Sequence, residues 1–155
     1  MHFDDRPCLV DTIVIHSCYA PDAADPFCPN ESIALFKHHR VSAHYLIGRD
    51  GSVLNLVPEE KRAWHAGVSK LPFVDDNREA VNDFSIGIEL IGKDDFTDQQ
   101  YESLNKLISE IRQRHKIKYI LGHNQIAPGR KTDPGDGFDW GRLKAFGIIS
   151  QSDPS

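Results

Sequence analysis

Three side chains have the types and the spacing to share one cation: His16, His123 and Asp133. His16 ends the β-branched run Thr12-Ile13-Val14-Ile15, and His123 follows Tyr119-Ile120-Leu121-Gly122. A residue at the carboxyl end of a core strand either points into a site or is capped and hydrogen-bonded, and the local context of His16 leaves both open. Gly122 lets the chain turn sharply or lets another group come close. From Asn124 to Gly135 the chain is rich in Pro and Gly, which makes a loop that folds back. Such a return could bring His123 and Asp133, ten residues apart, onto one ion. Asp133 could equally do no more than start a turn before Pro134. Two imidazoles and a carboxylate leave the fourth position of a tetrahedral zinc free for water, the arrangement of catalytic rather than structural sites.

Glu89 is the next candidate. In Ser85-Ile86-Gly87-Ile88-Glu89-Leu90 a period of two puts Ile86, Ile88 and Leu90 on one face and Ser85, Gly87 and Glu89 on the other. A carboxylate on a strand fit for a core is costly unless it meets water, a partner or a substrate, and the small neighbours leave room for a ligand. Such a group could act as general base and then general acid; the alternative is an edge-strand Glu in an unrelated ion pair. Lys131, two residues before Asp133, could steady an oxyanion, although most lysines are simply solvated. Trp64-His65-Ala66-Gly67 could floor a groove for sugar or peptide, or be core packing; Arg62, just before it, joins Trp64 and His65 as a substrate-binding candidate.

The other histidines look less chemical. His2 is terminal, His38, His39 and His115 end helices where a partial positive charge suits the dipole, and His44 reads as buried and hydrogen-bonded. Cys8, Cys18 and Cys28 are not paired as zinc-binding cysteines usually are, and they read as reduced thiols. A Cys18–His16 nucleophile pair would leave Asp133 and Lys131 without a role.

The elements that must position these residues follow from pattern. Strands are expected at 12–15, 44–47, 53–57, 84–91 and 119–121, with Arg49-Asp50-Gly51 turning a hairpin between the second and third. Asn30 is an expected N-cap for a helix over 31–39, and Thr97 for one carrying Tyr101, Leu104, Leu107, Ile108 and Ile111 on one face. A short helix is expected over 138–146. Residues 21–29 and 150–155 read as Pro/Asp-rich linker and tail. The result is an α/β fold with a mixed central sheet flanked by helices.

At 155 residues, 39% hydrophobic and 26% charged, the chain suits one domain spanning 1–155. A net charge of −5 argues against a nucleic-acid partner, since phosphate binding needs a dense basic face. No apolar run is long enough to span a membrane, and MHFDDRPCLVD has neither the basic nor the apolar region of a signal peptide. The expectation is a cytoplasmic monomer.

Taken in order, the segments TIVIHS, RVSAHYLIGRDG, RAWHAGVS, NDFSIGIEL and GHNQIAPGRKTDPG resemble the zinc N-acetylmuramoyl-L-alanine amidases of the type-2 amidase and peptidoglycan-recognition superfamily, nearest the AmpD-like branch. The likeness runs from about residue 11 to 148. It implies a peptidoglycan-recognition-like fold and one zinc ion held by His16, His123 and Asp133. It also implies Glu89 as acid/base, Lys131 as oxyanion stabiliser and a muropeptide or peptidoglycan substrate. Phage-type members carry a tyrosine where this chain has Ala43, which leaves the proton transfers to Glu89. Recycling enzymes carry a substrate-gripping arginine where this chain has Ala80, with Arg78 two residues earlier. Two rival readings remain: a peptidoglycan-binding module without catalysis, and a zinc peptidase, which lacks the HExxH helix.

Overall fold

The computed structural model describes residues 1–146, so the tail expected at 150–155 lies outside the described residues. A five-stranded sheet has the order β4-β3-β6-β2-β7, built from β2 (Thr12–Cys18), β3 (Tyr45–Ile47), β4 (Val53–Asn55), β6 (Ser85–Ile91) and β7 (Tyr119–Gly122). Strands β3, β6, β2 and β7 run parallel, and β4 returns antiparallel along β3. The sheet is therefore mixed, as the pattern of a single hairpin among alternating strands and helices requires. A second, two-stranded antiparallel sheet pairs β1 (Phe3–Asp5) with β5 (Lys61–Ala63); both strands are short and lack an apolar alternation, so neither was legible as a strand.

Helix α2 (Asp98–Arg114) covers one face of the large sheet. Its Tyr101, Leu104, Leu107, Ile108 and Ile111 pack on Ile13 and Ile15 of β2 and on Ile86, Ile88 and Leu90 of β6. The helix starts as its sequence predicts: Thr97 Oγ1 accepts from the Gln100 amide at 3.1 Å, and Gln100 Oε1 accepts from the Thr97 amide at 3.0 Å. On the other face, Val14 and Leu121 meet Ala66, Leu71, Phe73 and Val81 from the long connection between β5 and β6. Helix α1 (Pro29–His38) closes the same face at its far end, with Phe36 against Leu46 and Ile91.

Two helix boundaries differ from expectation. Helix α1 starts at Pro29 with Cys28 as its N-cap, not at Asn30, because proline's fixed φ and missing N–H suit the first helical position. The expected helix over 138–146 is a 3-10 turn over Trp140–Phe146; Phe138 instead enters the core beside Phe96 and Tyr101. No helix among the described residues is long and apolar enough to cross a membrane.

Arg6 ties the small sheet to the large one. Its guanidinium donates to the carbonyls of Glu59 (2.8 Å), Lys61 (2.7 Å) and Ser85 (3.1 Å), and at 3.3 Å to those of Asn82 and Asp83. One planar fork thus satisfies backbone acceptors on both sides of the segment that carries Trp64 and His65. Arg6→Ala is expected to lower stability by about 2–3 kcal/mol, the scale of charge-assisted hydrogen bonds lost with acceptors left unpaired. Arg6→Lys should recover only part of it, since an ammonium cannot fan out over these carbonyls. Urea melts of the three proteins check this.

Candidate metal and catalytic site

The pairing register of β2 builds the site. His16 lies opposite Glu89 on β6, and Ile15 lies opposite Gly122 on β7, so His123 leaves the sheet beside His16. Residues at the carboxyl ends of three adjacent parallel strands thus converge outside the sheet, where ligands of open α/β sheets bind. His123 opens the short helix α3 (His123–Ile126), and the loop after it folds back as its Pro and Gly content suggests. That return is held by the Asn124 amide donating to the Asp133 carbonyl at 2.9 Å and by the Arg130 and Lys131 amides donating to the Ala127 carbonyl. Arg130 fastens the loop from the side, donating to the carbonyls of Ala66 (2.7 Å) and Val68 (2.8 Å).

His16, His123 and Asp133 offer ligand atoms that all lie within 4.8 Å of one another. His16 Nδ1 is 3.3 Å from Asp133 Oδ2, and His123 Nδ1 is 3.3 Å from Asp133 Oδ1. The two Nδ1 atoms are 3.0 Å apart. The far side of each ring is engaged elsewhere. His123 Nε2 lies 3.1 Å from the Ala66 carbonyl, which can only accept, so the ring's proton sits on Nε2 and its Nδ1 is a bare lone pair. His16 Nε2 lies 2.9 Å from His65 Nδ1. Lone pairs and a carboxylate gathered this closely repel one another unless a cation joins them, and two neutral imidazoles with one carboxylate are the donors of an open zinc site. The residues present therefore fit zinc.

Electrostatics agree. Burial drives the His16 pKa down to about 4, against the opposing pull of the Asp133 hydrogen bond. Burial also raises Asp133, but the facing His123 and His16 imidazoles, where they carry protons in place of a cation, outweigh it and hold the carboxyl well below the usual range. Glu89 goes the other way: burial, reinforced by the negative charge of Asp133, pushes its carboxyl well above the ordinary value. Its Oε2 lies 3.9 Å from His16 Nδ1, and its buried Oε1 has no hydrogen-bond partner among the described residues. β6 is a central strand, not the edge strand that would make Glu89 an incidental surface group.

A cleft of roughly 340 Å³ opens over these groups and is walled by Cys18, Ser42, Lys131 and Thr132. Two further spaces adjoin it, one of similar size toward Tyr19 and Lys93, the other smaller and toward Arg40 and Trp64. Lys131 thus lies on the cleft with Glu89, as its spacing from Asp133 suggests. Trp64 reaches the second space, its indole N–H donating to Asp4 Oδ2 at 2.8 Å and its ring stacked on His2. Arg62 has other partners: its guanidinium is held by Asp83 at 2.6 Å and Asp4 at 3.1 Å, across the small sheet. Arg78 likewise pairs with Asp11 and Asp76. His65 lies beneath His16, only 6% exposed. His44 is buried as expected, accepting from the Gly87 amide at 3.0 Å. Sequence reasoning missed Asn82, whose Oδ1 accepts from the amides of His65 and Ala66. Nothing local in NDFS announces a partner 17 residues upstream.

These burials fix a pH response for the metal-free protein. Burial lowers His16 and His44 to about 4 and holds His65 well below its ordinary value. The unfolded chain takes up these protons near pH 6.5 while the folded chain refuses them, so stability falls as pH drops from about 6.5 toward 4. Glu89, shifted upward, acts in the opposite sense, one group against three. Urea midpoints of chelator-treated protein should be lower at pH 5 than at pH 7; equal midpoints would mean that these imidazoles are already charged in the fold.

The model of the Amidase_2 family, N-acetylmuramoyl-L-alanine amidase, matches residues 4–136. The 1,6-anhydro-N-acetylmuramyl-L-alanine amidase AmpD of Citrobacter freundii is 51% identical over 113 residues, covering 70% of this chain and 58% of the relative. The chain thus spans about three fifths of that relative's length. A crystal structure of a Se-Met AmpD derivative superposes with a TM-score of 0.80 at 40% identity, covering 96% of this chain and 90% of the other. The Escherichia coli amidase AmiD, solved in complex with anhydro-N-acetylmuramic acid-L-Ala-D-gamma-Glu-L-Lys, superposes with a TM-score of 0.76 at 30% identity, covering 94% of this chain and 61% of the other. With its fold, its strand-end cluster and its sequence in agreement, the chain belongs to the N-acetylmuramoyl-L-alanine amidase family, on its AmpD-like branch.

Proposed function

We propose that the chain is a zinc amidase that hydrolyses the amide between N-acetylmuramic acid, or its 1,6-anhydro form, and the L-alanine of the stem peptide, in cell-wall turnover or recycling. The observation that carries this is the convergence of three metal-ligand atoms beside a buried carboxyl, one oxygen of which has no hydrogen-bond partner among the described residues, on an open cleft. The substrate class is supported by the AmpD relative's name and by the AmiD complex. In this reading residues 1–155 act as one catalytic domain and as a monomer. The three free thiols suit a reducing, cytoplasmic setting.

Zinc held by His16, His123 and Asp133 would supply a Lewis acid that polarises the amide carbonyl and acidifies water. The remaining work belongs to the chain. Glu89, ionised in the working state and lining the cleft, takes a proton from the attacking water. Its upward shift places its basicity nearer neutrality than an ordinary carboxylate's, which favours both uptake and release. The tetrahedral adduct carries an oxyanion that the Lys131 ammonium stabilises from the cleft wall. Glu89 then passes the proton to the alanine nitrogen, and the C–N bond breaks to give the free sugar acid and a stem peptide beginning with L-alanine. Trp64 walls the adjoining space as a flat contact for sugar or peptide.

Incubation with defined anhydro and reduced muropeptides, read by mass, should release a peptide with an L-alanine amino terminus. Binding without that product would favour a non-catalytic muropeptide-binding module. Chelation should abolish turnover and added zinc restore it. Glu89→Gln should retain zinc and lose roughly 10²-fold or more in kcat; near-normal turnover by a zinc-replete Glu89→Gln protein would remove Glu89 from the mechanism. Lys131→Met should lower kcat with little change in KM, because the charge it meets exists only after attack.

A further inference from the structure

Gly87 sits in the middle of a central strand, where glycine costs backbone entropy and offers no side chain to the core. What compels it is a histidine ring. A Cβ at position 87 would lie 2.4 Å from His65 Cγ, 2.6 Å from its Nδ1 and 2.8 Å from its Cδ2, well inside any real contact. The small residues on this face of β6 do leave room, as their size suggests, but the room at Gly87 is filled by His65 rather than by a ligand.

The ring so seated has both nitrogens engaged. Nδ1 is 2.9 Å from His16 Nε2, and Nε2 is 3.0 Å from Ser85 Oγ. The rings of His16 and His65 meet edge to face, with centroids 5.0 Å apart and planes at 89°. The main chain at this point is equally fixed. Asn82 Oδ1 accepts from the amides of His65 at 3.1 Å and Ala66 at 2.8 Å, and the Ala66 carbonyl receives His123 Nε2. One dipeptide, clamped by one carboxamide, therefore supports both imidazoles from behind.

We propose that His65 is a positioning residue for His16: wedged on Gly87 and anchored to Ser85, it orients the His16 ring so that Nδ1 faces Asp133 and His123. The inference rests on the zinc reading above. For Nδ1 of His16 to offer a lone pair, its proton must sit on Nε2 and be accepted there. His65 Nδ1 is that acceptor, and the proton of His65 then lies on Nε2, directed at Ser85 Oγ. The chain Ser85–His65–His16 satisfies every polar atom without a charged group, which suits its burial. Partners of this kind behind a metal-binding imidazole typically govern about 10–100-fold in metal affinity. The same engagement leaves His65 no free nitrogen for a substrate.

The test is zinc affinity, by competition with a chromophoric chelator, and the visible spectrum of the cobalt-loaded protein. His65→Ala should weaken zinc roughly 10–100-fold and alter the cobalt bands. His65→Asn, whose carboxamide oxygen can stand near the Nδ1 position, should restore most of both. Gly87→Ala should resemble His65→Ala, because its new methyl expels the ring. In the His65→Ala background the same methyl meets no ring and should cost nothing more, so the two substitutions should be strongly non-additive. If His65→Ala fails to fold, His65→Asn and Ser85→Ala carry the test, with Ser85→Ala weaker in zinc than wild type. A wild-type chain that binds no zinc overturns the zinc reading and this inference with it. A zinc-binding wild type matched by His65→Ala, equal losses in folded His65→Ala and His65→Asn, or additive Gly87 and His65 effects overturn the positioning role alone.

Discussion

Everything at the site depends on the register of β2 between β6 and β7. A parallel pairing that sets His16 against Glu89 and Ile15 against Gly122 brings a metal-ligating imidazole, a free carboxyl and the start of the second ligand's loop to one edge. A slip of one residue would send His16 to the face packed by α2 and bring Ile15 to the cleft. That slip is opposed by the core itself, since Ile13, Ile15, Ile86, Ile88 and Leu90 all lose their burial with it. Hydrophobic alternation and catalytic geometry are therefore the same constraint read on opposite faces of the sheet.

Burial of this polar cluster has a cost that the surrounding structure meets with hydrogen bonds rather than charges. His16, His44 and His65 stay neutral inside, each with both nitrogens near a partner. Asp133 accepts from the Ser17 amide and faces the two imidazole nitrogens across the place a cation would fill. Glu89 keeps one buried oxygen, Oε1, without a partner among the described residues. An unpaired polar atom in an otherwise satisfied cluster is where strain is retained for chemistry, and a carboxyl whose ionisation is disfavoured is a better proton carrier near neutrality than a solvated one. The rigid backing also matters, because a site whose ligands drift loses affinity before it loses fold.

Much of the fold was legible because its signals are local. The β-branched run at β2, the alternation of β6, the Thr97–Gln100 cap and the apolar stripe of α2 each state their element within a few residues. The strands β1 and β5 were not legible, since they are polar and held by Arg6 and by ion pairs between distant residues. The start of α1 was misplaced by two residues, because the capping preference of Asn30 competes with the first-turn preference of Pro29 and the proline prevails.

The sequence by itself determined which residue types were available for chemistry, where strands would end beneath two of them, and that a Pro/Gly-rich loop would return from His123 to Asp133. It also carried the family likeness in ordered segments. Tertiary structure decided which of the ambiguous side chains meet. His65 read as a groove residue; it lines the cleft, and the missing Cβ of Gly87 also seats it against His16, while Arg62, read as substrate-binding, forms ion pairs with Asp4 and Asp83. Those partners lie 20 to 60 residues away in the chain, and a contact at that separation is set by strand register and loop path, which no local periodicity encodes.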